Sequence, residues 1–311
     1  MKRYINRLLV FFVVAIIAYP VLVILADQLV PYSWKRNLRY KSKSIIQYKL
    51  EDLKDEQDLD ILFIGSSHCY RGFDTRIFKE QGLETFNLGS SSQTPKETNL
   101  LLNKYLPQLK PKLIIYEVFP TCFELDGLEA SLNMISAQPL DADFVPMLWR
   151  SPSPKLFNTF IVSCFNKWTK EQPIDLSVPF TAKDIYHEGG FVERIDTDYD
   201  FDVEPPRAYS FRAEQLEAFE DNVKLIQEQG VDLLFVYAPV TKVFDASRTN
   251  PDVLNEYLSK FETPFWDYHK GLTLLDSLHF YDEDHLNTEG VKIFNRVLLE
   301  RLDSKGFLKN Q

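Results

Sequence analysis

The chain has 311 residues, 45% of them hydrophobic, 26% charged and 14% aromatic, with a formal net charge of −10. That composition belongs to a folded chain with enough apolar side chain for a sizeable core, which excludes wholesale disorder. The acidic balance speaks against a nucleic-acid binder, whose affinity depends on neutralising phosphates with Lys and Arg.

Leu8–Ala26 (LLVFFVVAIIAYPVLVILA) carries no charge. At ~1.5 Å per residue it reaches roughly 28 Å, close to the thickness of a bilayer's hydrocarbon core. Pro20 lies inside it, and proline is tolerated in membrane helices, with a kink. Lys2, Arg3 and Arg7 precede the run like the basic region of a signal sequence. The apolar stretch is longer than a signal peptide's, and no small-x-small cleavage site follows. Residues 1–30 are therefore expected to form an uncleaved signal anchor. Lys35, Arg36, Arg39, Lys41 and Lys43 come next, so basic residues flank both ends and charge alone does not fix the orientation. Residues 31–57 pass from basic (WKRNLRYKSK) to acidic (EDLKDEQDLD). They are expected to form a charged stalk, or a helix across the domain through SIIQYKLEDL.

From residue 58 to 311 a single domain is expected. DILFIG (60–65), TFNLG (85–89), KLIIYEVF (112–119), VDLLFVYAP (231–239) and PFWDYH (264–269) read as short buried strands. Helices are expected at 95–106, with Pro95 in the first turn, at 213–229 up to Gly230, at 251–261 and at 288–302. Strands alternating with helices predict an α/β fold, a parallel sheet covered by helices on both faces. Such sheets bind ligands at the carboxyl ends of their strands. Residues 120–212 break the rhythm, with several prolines, a weak helical stretch around 155–170 and an acidic patch (ERIDTDYDFDVEPP). They read as an insertion after the third strand that covers the site.

Three blocks at strand ends or loops carry reactive side chains. The first strand runs into Gly65-Ser66-Ser67-His68, where a turn into a helix would expose a hydroxyl beside backbone N–H groups. Capping serines in a Ser-rich turn look the same. The second strand ends in Asn87-Leu88-Gly89-Ser90, and a glycine there permits close backbone approach. Near the C-terminus stands Asp282-Glu283-Asp284-His285-Leu286-Asn287. A serine nucleophile needs an imidazole base, and the imidazole needs a carboxylate to fix its tautomer, so Asp-x-x-His supplies both from one loop. An exposed His in an acidic helix start is the plain alternative.

Taken in this order, the blocks resemble those of the SGNH, or GDSL-like, hydrolase superfamily, over residues 58–119 and 231–302. The resemblance implies a flavodoxin-like sheet and makes Ser67 the nucleophile of the Gly65-Ser66-Ser67 block. It makes Gly89 the oxyanion glycine of the second block, and Asp282 and His285 the last two members of the triad. His-Leu-Asn-x-x-Gly, from His285 to Gly290, strengthens the match. Two departures stand out. The Gly-x-Asn-Asp block is missing, because the third strand continues into Tyr116-Glu117-Val118-Phe119-Pro120, and Ser66 replaces the Asp that usually precedes the nucleophile. With the N-terminal anchor, the Gly-Ser-Ser start is similar to the membrane-anchored branch that includes D-alanine-transfer and alginate-acetylation proteins.

The resemblance implies a Ser-His-Asp esterase or O-acyltransferase held in the cell membrane, single-pass, with its catalytic domain outside the cytoplasm. It would act on acyl esters, chiefly acetyl, of an envelope polysaccharide or another acylated polymer, beside a membrane-bound O-acyltransferase. The backbone N–H groups of Ser67 and Gly89 would hold the oxyanion, and Asn87 or Gln93 would replace the missing Asn. His68 adjoins the nucleophile and is expected to line the pocket. Lys242 should lie at the same sheet end, as a substrate contact or a solvated loop lysine. No metal or organic cofactor is implied, and His68, His187, His269 and His279 show no metal-site spacing. Cys69, Cys122 and Cys164 lack disulfide density and read as unpaired small hydrophobes. The rival class is a non-catalytic binding or assembly protein that keeps the fold, which the missing Asn favours.

Overall fold

The computed structural model describes all residues except 40–43, 171–175, 177–179, 196–198, 200–204 and 309–311. The basic run after the N-terminal apolar segment and the acidic patch at 193–206 thus lie partly outside the described residues. The chain folds as two units. One comprises Met1–Ser44 with Ser131–Pro173, the other Ile45–Ala130 with Ile174–Gln311.

The larger unit is built on β1 (Ile61–Ile64), β2 (Thr85–Asn87) and β3 (Leu113–Glu117), then a separate antiparallel hairpin, β4 (Asp184–His187) and β5 (Phe191–Arg194), then β6 (Asp232–Tyr237) and β7 (Phe265–Asp267). The main sheet has five strands in the order β2-β1-β3-β6-β7, and every pairing is parallel. β1 and β3 are buried along their whole length, which is why both read as unbroken apolar runs. Their side chains alternate between two helical layers. Ile61, Phe63, Ile115, Leu234, Val236 and Trp266 share one core with Phe294, Leu298 and Leu302 of the C-terminal helix Thr288–Ser304. On the other face Tyr116 and Phe235 meet Phe219 of helix Ala213–Glu228, with ring centroids 5.0 and 5.2 Å apart. The expected α/β architecture is the one found.

The strand order has a consequence for function. From β1 the chain moves to one side to make β2, then crosses to the other side of β1 to make β3. The loops after β1 and β3 therefore diverge and leave a crevice at their carboxyl ends, where open α/β sheets bind ligands.

Two further parts of this unit lie outside the expected sheet and its helices, and for the first of them a helix was one of the two expectations. Ile45–Asp52 is a helix with Ile45, Ile46, Tyr48, Lys49 and Leu50 buried. The Lys49 ammonium donates to the carbonyls of Asn87 and Gly190, so it ties this helix to the end of β2 and to the β4–β5 turn. Burial lowers the Lys49 pKa to about 7. The hairpin turns at Gly189 and Gly190, with φ of +86° and +90°, values that favour glycine. It docks on β2 where the Asn87 N–H donates to the Gly189 carbonyl at 2.8 Å.

The smaller unit contains the helix Lys2–Leu29, whose single buried residue is Val23. It is long and apolar enough to cross a membrane. The same unit holds the helix Pro154–Lys170, where the sequence showed only a weak helical stretch.

Candidate active site

Gly65 closes β1 with φ +146°, and a Cβ there would stand 2.8 Å from the Glu117 Cβ. A glycine is thus required twice over, by conformation and by the close approach of β3. Ser66 caps the short helix Ser67–Gly72, its hydroxyl accepting the His68 N–H at 3.2 Å. That hydroxyl also donates to the buried Glu117 carboxylate at 2.9 Å. Burial pushes the Glu117 carboxyl up, and His68 and the Ser66 hydrogen bonds pull it back. Ser66 thereby points down into the protein and Ser67 up at the crevice.

Ser67 and the C-terminal loop meet there. The Ser67 Oγ lies 2.8 Å from His285 Nε2. His285 Nδ1 is 3.0 Å from both Asp282 oxygens and 2.8 Å from Asp284 Oδ1. Two carboxylates facing Nδ1 require a proton on that nitrogen, which leaves Nε2 for the hydroxyl. Asp282 also builds the loop, because its Oδ1 accepts the backbone N–H groups of Asp284 at 3.1 Å and His285 at 2.7 Å. Burial alone would lower the imidazole's pKa. The charge of Asp284 and the hydrogen bonds and charge of Asp282 outweigh it and raise the pKa to about 10. Asp284, in spite of its own burial, is held well below the usual carboxylate range by His285 and His68.

Two rings lie nearly parallel to that of His285. His68 stacks on it at 4.6 Å between centroids, and Tyr281 lies parallel to it at 5.6 Å. His68 in turn stacks on Phe119, and its Nε2 is 3.4 Å from Asp284 Oδ2. Asp284 therefore stands between two imidazoles. His68, Asp284 and His285 have ligand-type atoms within 4.8 Å of one another, a group that sequence spacing did not suggest. His68 lies within the site, as expected, but against the imidazole and almost fully buried.

The oxyanion expectations need correction. The Gly89 N–H donates to Asn87 Oδ1 at 3.1 Å, so it is already spent. Gly89 is glycine for a packing reason, since a Cβ would fall 2.7 Å from the Cys69 Cβ and 2.9 Å from the Ser66 carbonyl. Asn87 is fully buried and spends its amide on the Cys69 and Phe73 carbonyls at 2.9 and 3.1 Å. Gln93 is equally committed, accepting from the Ser90 hydroxyl at 2.8 Å and donating to the Thr98 hydroxyl at 2.9 Å. These three residues brace the loop after β2. The Ser67 N–H opens a helix, where the first N–H groups have no acceptor within the helix.

Lys242 is exposed and starts the helix Lys242–Ala246 after β6. Its neighbour Thr241 donates its hydroxyl to the Glu283 carbonyl at 2.6 Å, which joins this loop to the one carrying Asp282 and His285. His187 contacts Glu193 at 2.9 Å and His269 contacts Asp245 at 3.0 Å, both in ion-pair geometry. His279 Nδ1 accepts the Leu275 N–H at 2.9 Å. The three cysteines are unpaired thiols.

No protein-family model matches the sequence, and no curated protein matches it. Solved structures similar to the chain include a Bacteroides fragilis protein described as an acylhydrolase. It shares 11% identity at a TM-score of 0.40, over 83% of this chain and 95% of that one. A GDSL-like lipase from Bacteroides thetaiotaomicron shares 10% identity at a TM-score of 0.43, over 85% of this chain and 100% of that one. Likenesses this distant say nothing of chemistry, and the fold rests on the strand order itself.

Proposed function

We propose that this chain is a membrane-anchored serine esterase or O-acyltransferase of the SGNH type, acting on acyl esters of cell-envelope polymers. The observation that carries the reading is the hydrogen-bonded line from Ser67 Oγ through His285 to Asp282, at the crevice between β1 and β3. A serine, an imidazole and a carboxylate in that order perform acyl transfer.

In this reading neutral His285 takes the Ser67 proton on Nε2 as Oγ attacks the ester carbonyl. The imidazolium is stabilised by Asp282 and Asp284. The Ser67 N–H donates to the oxyanion. The proton then passes to the leaving alcohol and leaves an acyl-serine, and water or a sugar hydroxyl accepts the acyl group by the reverse steps. The acyl group most in keeping with the resemblance is acetyl. The polymer is an envelope polysaccharide or another acylated polymer, and a membrane-bound O-acyltransferase is the proposed partner. The Lys2–Leu29 helix would hold the enzyme in the cell membrane, with the larger unit outside the cytoplasm.

The binding or assembly reading is favoured by one observation, the Gly89 N–H already donated to Asn87. Acetate release from an acetylated polysaccharide, or acetyl transfer to a free one, separates the two. Activity in the full-length protein that disappears in Ser67→Ala supports the enzyme. Unchanged polymer binding by both proteins with no acetate released supports the binding protein.

A further inference from the structure

The helix Pro154–Lys170 carries polar side chains on its buried side and large apolar ones on its open side. Its buried positions include Thr159, Ser163 and Asn166 alongside Leu156 and Val162. The opposite side carries Phe157, Phe160, Cys164 and Trp168, spaced three, four and four residues apart so that they form one stripe. Phe157, Phe160 and Cys164 are half-buried, and Trp168 is 84% exposed. Trp149 extends the stripe. It meets Phe157 edge-to-face at 5.4 Å and is itself 71% exposed. A surface helix in water turns its apolar side inward and its polar side outward.

The same helix runs along the anchor. The Tyr19 hydroxyl donates to Asn158 Oδ1 at 2.5 Å, and four residues further on in both helices Val23 and Val162 share a cluster with Leu38. Tyr19, which makes this contact, lies inside the uncharged run Leu8–Ala26. If Pro154–Lys170 stood clear of the bilayer, only Leu8–Ala18 would remain for the hydrocarbon. That stretch reaches roughly 16 Å, about half of the ~30 Å required. The anchor can reach across only if the helix packed on it enters the membrane surface as well.

We infer, on the reading of Lys2–Leu29 as a membrane anchor, that Pro154–Lys170, with Trp149, is a second membrane-contacting element that runs alongside the anchor with its aromatic stripe turned to lipid. Trp and Phe on one side of a helix are the residues that settle at the level of the headgroups and upper acyl chains. The occupant of this face is therefore the bilayer.

The test uses the full-length protein in phosphatidylcholine vesicles, with or without brominated acyl chains, which quench tryptophan only on contact. Trp34→Phe, Trp149→Phe and Trp168→Phe together leave the buried Trp266 as a constant background, and Trp149 or Trp168 is then restored singly. Vesicle flotation confirms insertion of the anchor in each sample. Each restored tryptophan should lose about half or more of its emission to brominated lipid and be shielded from aqueous iodide. Quenching by iodide without quenching by brominated lipid would overturn the inference, because the stripe would face water. Protection from both quenchers, with association that grows with protein density, would overturn it in favour of a second copy of the chain.

Discussion

The replacement Asp284→Asn probes the least ordinary feature of the site, an imidazole with two carboxylates on one nitrogen. Asp282 and Asp284 both reach His285 Nδ1, at 3.0 and 2.8 Å. Together they raise the imidazole's pKa from 6.5 to about 10 although burial opposes them. The base in the proposed mechanism is the neutral ring, so kcat/KM should climb with pH and level off only above about 10. Losing one of two charges should lower that pKa by roughly two pH units, which at 1.36 kcal/mol per unit is about 2.7 kcal/mol of stabilisation of the charged ring. At neutral pH the fraction of usable base would rise roughly 100-fold, offset in part by the weaker basicity. Asp284→Asn should therefore move the pH–rate profile toward neutrality, with activity at pH 7 kept or increased. Asp282→Asn should instead lower activity at every pH, because Asp282 also holds the His285 and Asp284 N–H groups that shape the loop. The assay is kcat/KM for p-nitrophenyl acetate across pH 6–10.5, corrected for spontaneous hydrolysis, with the histidine Nδ1 proton followed by NMR. An Asp284→Asn profile with an unmoved midpoint would show that Asp284 does not hold the charge on His285.

Other outcomes follow from the packing beneath the site. Gly89→Ala should lower stability by about 1–3 kcal/mol in urea unfolding, as overpacking does, because the new methyl meets the Cys69 Cβ and the Ser66 carbonyl. Lys49→Met should cost roughly 2–4 kcal/mol by the same measurement, since it leaves the buried carbonyls of Asn87 and Gly190 without their donor. A Lys49→Met protein as stable as the parent would show that this ammonium ties nothing together.

The sheet was legible because its strands are buried on both faces. DILFIG, KLIIYEVF and VDLLFVYAP carry the unbroken apolar runs that such burial demands, and they form β1, β3 and β6. The association of Ser67, Asp282 and His285 was legible through the resemblance their blocks carry in order, since each block alone reads equally as a capping turn or an acidic helix start. What was hidden depends on contacts between residues far apart in the chain. Nothing near Lys49 signals that it will be buried, since its acceptors lie 38 and 141 residues away. Asp284 looked interchangeable with its acidic neighbours, and only the loop's fold turns it to His285 and His68. Glu117 left a trace, a charge ending an apolar strand, but its partner Ser66 sits 51 residues earlier. Gly89 was misread for a related reason. The resemblance makes it an oxyanion donor, whereas the neighbouring Asn87 side chain takes its N–H. The β4–β5 hairpin had a local signal in Gly189-Gly190, masked by the acidic and proline-rich composition around it.

In the proposed mechanism His285 activates Ser67. The most direct measurement of that activation is covalent labelling of the full-length protein by a fluorophosphonate at pH 9, with the modified peptide located by mass spectrometry. One adduct should form, on Ser67, faster as pH rises and absent from Ser67→Ala, whose melting temperature should stay close to that of the parent. A protein that melts normally yet takes no label at Ser67 anywhere between pH 7 and 10 would contradict it.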